Sequence, residues 1–125
     1  MSYTLTLPWP ARELSPNARC HWAKKARAAK AAKEEGYYAM LEAKLRNGEH
    51  TLEGPLELLL ILRPPDKKRR DDDNALASLK NFRDGVFKAL GMDDSLVRRT
   101  VIEWGDPLPG GRVVMTVREL LPFEM

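Results

Sequence analysis

The run Asp66-Lys67-Lys68-Arg69-Arg70-Asp71-Asp72-Asp73-Asn74 sets a block of cations directly against a block of carboxylates. In an extended chain successive side chains point to opposite faces, so Asp71 and Asp73 would share one face and Asp72 the other. A hard divalent cation such as Mg²⁺ takes oxygen ligands, usually one or two protein carboxylates, with water and phosphate completing its shell. The chemistry this pattern suits is therefore that of phosphodiesters. Lysine and arginine would hold an anionic backbone, while an ion bound by Asp71 and Asp73 would polarise the phosphate and activate a water. The same residues also read as a plain helix start, because aspartate is favoured at the N-cap and is stabilised by the helix dipole. One cap accounts for one aspartate.

Other polar residues extend the pattern. On a helix, Lys80 returns to within about 20° of the azimuth of Asp73 and lies ~10 Å along the axis, within reach of a long side chain. Its alternative partner is Asp84, four residues on. Asp93-Asp94, just past Gly91, supplies further carboxylates, although aspartates are also common turn residues. Lys24, Lys25, Arg27, Lys30 and Lys33 cover about half a helical circumference, which suits either a phosphate-contacting face or a solvated helix surface.

These groups must be positioned by regular elements. Tyr3 to Leu7 alternates as a strand does and stops at Pro8-Trp9-Pro10. Arg19 to Arg46 is free of proline and rich in helix formers, with Asn47-Gly48 as a stop signal. Tyr37, Met40, Leu41 and Leu45 form a core-facing stripe on this helix, and Gly36 marks a candidate bend. Leu56 to Leu62 is nearly continuous in Leu and Ile, which predicts a central strand covered on both faces and ended by Pro64-Pro65. From Asn74 to Leu90 the positions Leu76, Leu79, Val86, Phe87 and Leu90 predict a second helix stopped by Gly91. Leu96 to Trp104 and Arg112 to Leu120 read as two strands joined by a turn over 105–111. The order is β-α-β-α-β-β.

With 125 residues, 43% hydrophobic and 31% charged, the chain suits one small α+β domain: a mixed sheet of about four strands packed with two main helices. No apolar run approaches the roughly 20 residues that cross a bilayer, and residues 1–10 lack the order of a signal peptide, so the cytoplasm is the expected location. Cys20 has no second cysteine with which to form a disulfide or a thiolate metal site. A formal net charge of +3 is too small to attract a polyanion by itself, so the local clusters carry that argument.

Taken together, Leu7-Pro8-Trp9-Pro10, Pro16-Asn17, the basic run, Asp71-Asp72-Asp73-Asn74, Lys80, Asp84 and Gly91-Met92-Asp93-Asp94 resemble the RusA-type Holliday junction resolvases, especially phage and prophage members. In that family a basic stretch precedes Asp-x-Asp-Asn, a helical Lys and then Asp-Asp before a strand. The resemblance implies a RusA-like fold and a Mg²⁺-dependent homodimer that binds four-way DNA junctions and nicks opposing strands in recombination and repair. On matching positions it implies Asp71, Asp73 and Asp94 as catalytic, metal-holding carboxylates, Lys80 as the essential lysine, and Asn74 as a residue orienting a carboxylate or water. The family lysine usually follows the Asn by three residues; position 77 is Ala here, and Lys80 lies about one turn later.

Many phage relatives carry an Asn followed by a His-Trp pair, matched by Asn17 and His21-Trp22. These join Lys24, Arg27, Lys67, Lys68, Arg69 and Arg70 as candidate DNA contacts, with a structural role at a helix start as the alternative for His21. A helix over 74–90 would be about 25 Å long, which starts Asp94 far from Asp71 and Asp73. Either the chain after Gly91 folds back to the helix start, or a two-fold partner lays an antiparallel helix alongside and lends its own Asp94; the expectation is the second. The displaced lysine also admits a non-catalytic branched-DNA-binding protein of the same fold.

Overall fold

Tyr3, Leu5 and Leu7 alternate with exposed residues, as do Val113, Met115 and Val117 with half-buried ones, so each strand presents one fully apolar row. In the computed structural model, which describes residues 1–48 and 50–124, the two strands lie side by side and both rows enter one core. The elements are β1 (Ser2–Leu7), α1 (Trp22–Asn47), β2 (Leu56–Arg63), α2 (Asp72–Leu90), β3 (Val97–Trp104) and β4 (Arg112–Glu119), with short 3-10 turns at Arg12–Leu14, Asp94–Leu96 and Pro122–Glu124. The result is a single small α+β domain whose four-stranded mixed sheet packs with two helices. The strand order is β1-β4-β2-β3, with β2 and β3 parallel and the other neighbours antiparallel.

That order corrects the sequence reading of 105–111 as a turn between paired strands. β2 lies between β3 and β4, so the segment crosses over the end of β2 instead of closing a hairpin. The reading of β2 also changes. Leu56, Leu58, Leu60 and Leu62 are buried, but Leu59 and Ile61 on the other face are only half covered. Their neighbours in register there are Val101, Glu103, Val114 and Thr116.

Charge covers one corner of that second face. Glu57 lies opposite both Arg99 and Arg118 in register, and its carboxylate accepts from Arg118 Nε at 2.8 Å and pairs with Arg99 Nε at 3.0 Å. Arg118 also reaches Glu124 at 2.7 Å, and this guanidinium, with the Leu121 amide, holds the Glu124 carboxyl down at about 2.

The helices are continuous, and α1 shows no break at Gly36. A Cβ at Gly36 would overlap the carbonyl of Phe82, and one at Gly85 would overlap the carbonyl of Lys33, so the two glycines let α1 and α2 cross backbone to backbone. Of the stripe expected on α1, Met40 is buried and Tyr37 and Leu41 pack against the core, whereas Leu45 is 87% exposed, because the buried row runs through Gly36, Met40 and Ala43 and Leu45 lies on the opposite face from Ala43. Helix α2 ends where Gly91 adopts φ +71° and its amide bonds back to Phe87 and Lys88.

Two outcomes follow for stability. Gly85→Ala should lower the urea midpoint by an amount worth about 1–3 kcal/mol, as overpacking does; an unchanged midpoint would contradict the backbone contact. Because the folded Glu124 carboxyl lies below its ordinary value of 4.5, its contribution is complete above that pH and fades toward about 2. The difference in urea midpoint between wild type and Glu124→Gln should therefore shrink as pH falls through that window. A difference constant with pH would refute it.

Candidate nucleic-acid interface

Parallel pairing of β2 with β3, and antiparallel return of β4, bring the carboxyl ends of β1, β2 and β3 to one end of the sheet. There Leu7 lies opposite Val113, Arg63 opposite Arg112, and Leu62 opposite Trp104. Three connections, 8–21, 64–71 and 105–111, leave from this end. The third is tied to the end of β2 and the start of the second: the Gly105 amide donates to Leu62 O at 2.8 Å, the Leu108 amide to Pro64 O at 2.9 Å, and Arg63 Nε to Asp106 O at 3.0 Å.

Trp9 stands where the three meet. Gly111, at φ +72°, is pressed so closely on it that an added Cβ would lie 2.8 Å from Trp9 Cβ. Over the indole lies the Arg70 guanidinium, 5.4 Å from the ring centroid, a distance at which the cation is attracted to the π face. Arg70 also pairs with Asp66 at 2.9 Å and donates to the carbonyl oxygens of Lys68 and Asp66. The Asp66 carboxyl is consequently held below the usual carboxylate range, first by Arg70 and then by the Lys68 amide. Arg70, named from the sequence as a DNA contact, is thus engaged inside its own loop. That loop presents Lys67, Lys68 and Arg69, all exposed.

Two clefts open at this end. One, of about 710 Å³, is bordered by Trp9, Arg12, Lys68, Arg69, Asp71 and Asn74. The other, of about 610 Å³, is bordered by Arg12, Asn17, Arg19, His21 and Lys24. Arg12 and Ser15 line both, so the clefts adjoin, and the residues nominated from 17–24 and from 68–74 share one basic depression. Such a concentration of cations raises the local potential well beyond what the net charge gives. His21 caps α1, its Nδ1 accepting the Ala23 amide at 3.1 Å, and its ring lies 5.5 Å from that of the exposed Trp22. Arg27 is exposed farther along α1 and borders neither cleft.

The acidic run is resolved residue by residue. Asp71 is the last extended residue and the N-cap of α2: its carboxylate accepts the Asn74 amide at 2.8 Å and the Asn74 side-chain amide at 3.0 Å. Asn74 therefore orients the Asp71 carboxylate. Asp72 accepts from the Trp104 indole at 2.7 Å. Asp73 is exposed in the first turn. The chain turns helical at Asp72, so the strand alternation expected to align Asp71 with Asp73 stops before it reaches Asp73.

Asp94 lies elsewhere. Since β3 is parallel to β2, the residues just before β3 begin at the opposite end of the sheet from those just after β2. The chain after Gly91 returns beside α2 only as far as Arg83, whose Nε is 3.7 Å from Asp94 Oδ2, and the two share with Lys80 a groove of about 240 Å³. Twelve residues of helix, about 18 Å, separate Arg83 from Asp71. Among the described residues, no three His, Cys, Asp or Glu side chains gather as a metal cluster. The carboxylate set implied for Mg²⁺ therefore does not fit within one protomer.

Trp9, Arg12, Ser15 and Trp104 were not singled out from the sequence as functional. Their signal was present only as an aromatic between prolines and a cation just after it, and contact across the fold gives it meaning. No helix among the described residues is long and apolar enough to cross a membrane.

No family model matches the chain. An uncharacterized protein of Xylella fastidiosa (strain Temecula1 / ATCC 700964) is 40% identical over 115 residues, an alignment that takes in 91% of this chain and 74% of that protein.

The two roles open to Asp71 can be separated by measurement. Asp71→Ala should cost about 1 kcal/mol through the lost cap, whereas Asp71→Asn, whose side chain still caps, should cost much less. Urea denaturation reads both; equal losses would contradict the capping role.

Proposed function

We propose that the family to which this chain and the Xylella fastidiosa protein both belong consists of Mg²⁺-dependent endonucleases that act, as homodimers in the cytoplasm, on four-way DNA junctions. The observation that carries this reading is the meeting, at one end of the sheet, of a basic depression with the acidic start of α2. Arg12, Lys24, Lys68 and Arg69 offer a phosphate backbone several cations, with Asn17 and His21 on the same border. Asp71 and Asp73 stand beside the position such a backbone would take.

Catalysis on this reading requires the second subunit, because Asp94 is remote from Asp71 in its own chain. A two-fold mate with its α2 antiparallel would lend the partner subunit's Asp94 to Asp71 and Asp73. Lys80 borders the same groove as Asp94 and would travel with it, a positioned cation suited to charge developing on phosphate. A dimer with paired sites also matches the two-fold symmetry of the favoured cuts in a junction. A second reading, a branched-DNA-binding protein without cleavage, is favoured by the separation of Asp94 from Asp71 and Asp73, with no carboxylate cluster among the described residues.

The readings separate on a synthetic four-way junction incubated with Mg²⁺ and then with EDTA. Paired nicks that need the ion are expected; tight binding without nicks in either condition would select the non-catalytic reading. Asp73→Asn should abolish cutting and leave binding intact, since removing a carboxylate lessens repulsion with phosphate. Mixed with Asp94→Asn, it should regain nicking, because each mixed dimer then holds one intact shared site. No recovery on mixing would rule out sharing.

A further inference from the structure

Basic side chains on a flat surface suffice to hold duplex phosphates, yet the 710 Å³ cleft at the start of α2 is a built recess. Its volume falls within the range of small-molecule sites, and its lining has the corresponding character: a mostly apolar interior with a few polar groups. Pro65, Leu62, Ala75 and Leu79 form apolar surface; Arg12, Lys68 and Arg69 supply the cations. Trp9 is held at its Cβ and Cγ by Gly111 and at one part of its ring by the Arg70 guanidinium, which is itself fixed by Asp66. The Asn74 side chain gives one N–H to Asp71, leaving its carbonyl oxygen and second N–H without a partner among the described residues. Ser78 donates its hydroxyl hydrogen to Asn74 O at 2.9 Å and retains an acceptor oxygen.

We propose that this cleft receives one unpaired nucleotide from the branch point of the DNA, an inference that rests on the DNA reading above. The occupant must be part apolar and planar, part anionic, and able to exchange hydrogen bonds along one edge. A nucleotide meets all three conditions: its phosphate lies at Arg12, Lys68 and Arg69, its base enters against Trp9 and the Arg70 plane, and its edge meets Asn74 and Ser78. Unstacked bases are commonly held on aromatic rings or guanidinium planes, and a strand already free of pairing enters such a recess at the lowest cost. Pairs at a branch point open at lower cost than pairs inside an arm, so the cleft selects branched over linear DNA. Because Asp71 borders the same cleft, the captured nucleotide would register the next phosphodiester against the start of α2.

The test uses the full chain in EDTA with an immobile four-way junction carrying 5-iodouracil at each branch nucleotide in turn, or ten base pairs out in an arm. Photocrosslinking followed by mass spectrometry should find Trp9 or the 74–78 segment joined to a branch nucleotide and not to an arm nucleotide. Ser78→Phe, which fills the cleft and leaves its cations, should remove that crosslink while the gel shift of the junction persists. Trp9→Ala should likewise remove the branch crosslink while the gel shift persists. A normal gel shift with crosslinks only at Lys67 to Arg69, or equally from the arms, would overturn the nucleotide site and leave the DNA reading standing. No gel shift would overturn both. Tight binding of free deoxynucleoside monophosphate with no branch crosslink would assign the cleft to a soluble nucleotide and refute the branched-DNA version.

Discussion

The parallel pairing of β2 with β3 is the constraint from which the site's layout follows. A helix that joins parallel neighbours must run back along the sheet, so the residues that open α2 and those that precede β3 begin at opposite ends. Asp71 to Asp73 therefore stand with the three connections at the carboxyl ends of the strands, and Asp94 stands toward the other end beside Arg83. Ligands commonly bind beyond the carboxyl ends of strands in open α/β sheets, where helix starts and loops converge. The basic depression described here occupies that position in a much smaller sheet. Gly36 and Gly85 bring α1 and α2 into backbone contact and so fix the two helices relative to each other.

Much of this architecture is legible in the sequence. The alternation over residues 3–7, the leucine run at 56–62 and the spacing of Leu76, Leu79, Val86 and Phe87 each correspond to an observed element, because local period and burial agree there. What failed was non-local. Leu59 and Ile61 are as apolar as their neighbours, but the sequence does not record that the second face of the sheet is left partly open within one chain. The segment 105–111 has the residues of a hairpin turn, yet strand order is set by the whole sheet, and β2 takes the place between. Gly36 reads as a weak point in α1; its reason is the carbonyl of Phe82 on the other helix.

The candidate site shows the same division. Types and order of residues pointed to 17–24 and 67–74, and the fold brings parts of both to adjoining clefts. Individual roles needed coordinates. Asp71 is a cap as well as a candidate ligand, Asp72 is held by Trp104, and Arg70 belongs to the scaffold of its loop. Capping and metal binding are not exclusive for a carboxylate, which has more lone pairs than the two Asn74 donors use. The catalytic reading accordingly turns on assembly, not on the identity of the acidic residues.

The central claim is that the end of the sheet where β1, β2 and β3 finish is the surface that meets branched DNA. Backbone amide hydrogen exchange, with and without an immobile four-way junction in EDTA, tests it most directly. Increased protection at 9–24 and 65–75, with the corner around Glu57 and Glu124 unchanged, is the predicted result. Protection centred on that corner, or none anywhere under conditions where the junction is bound, would contradict it.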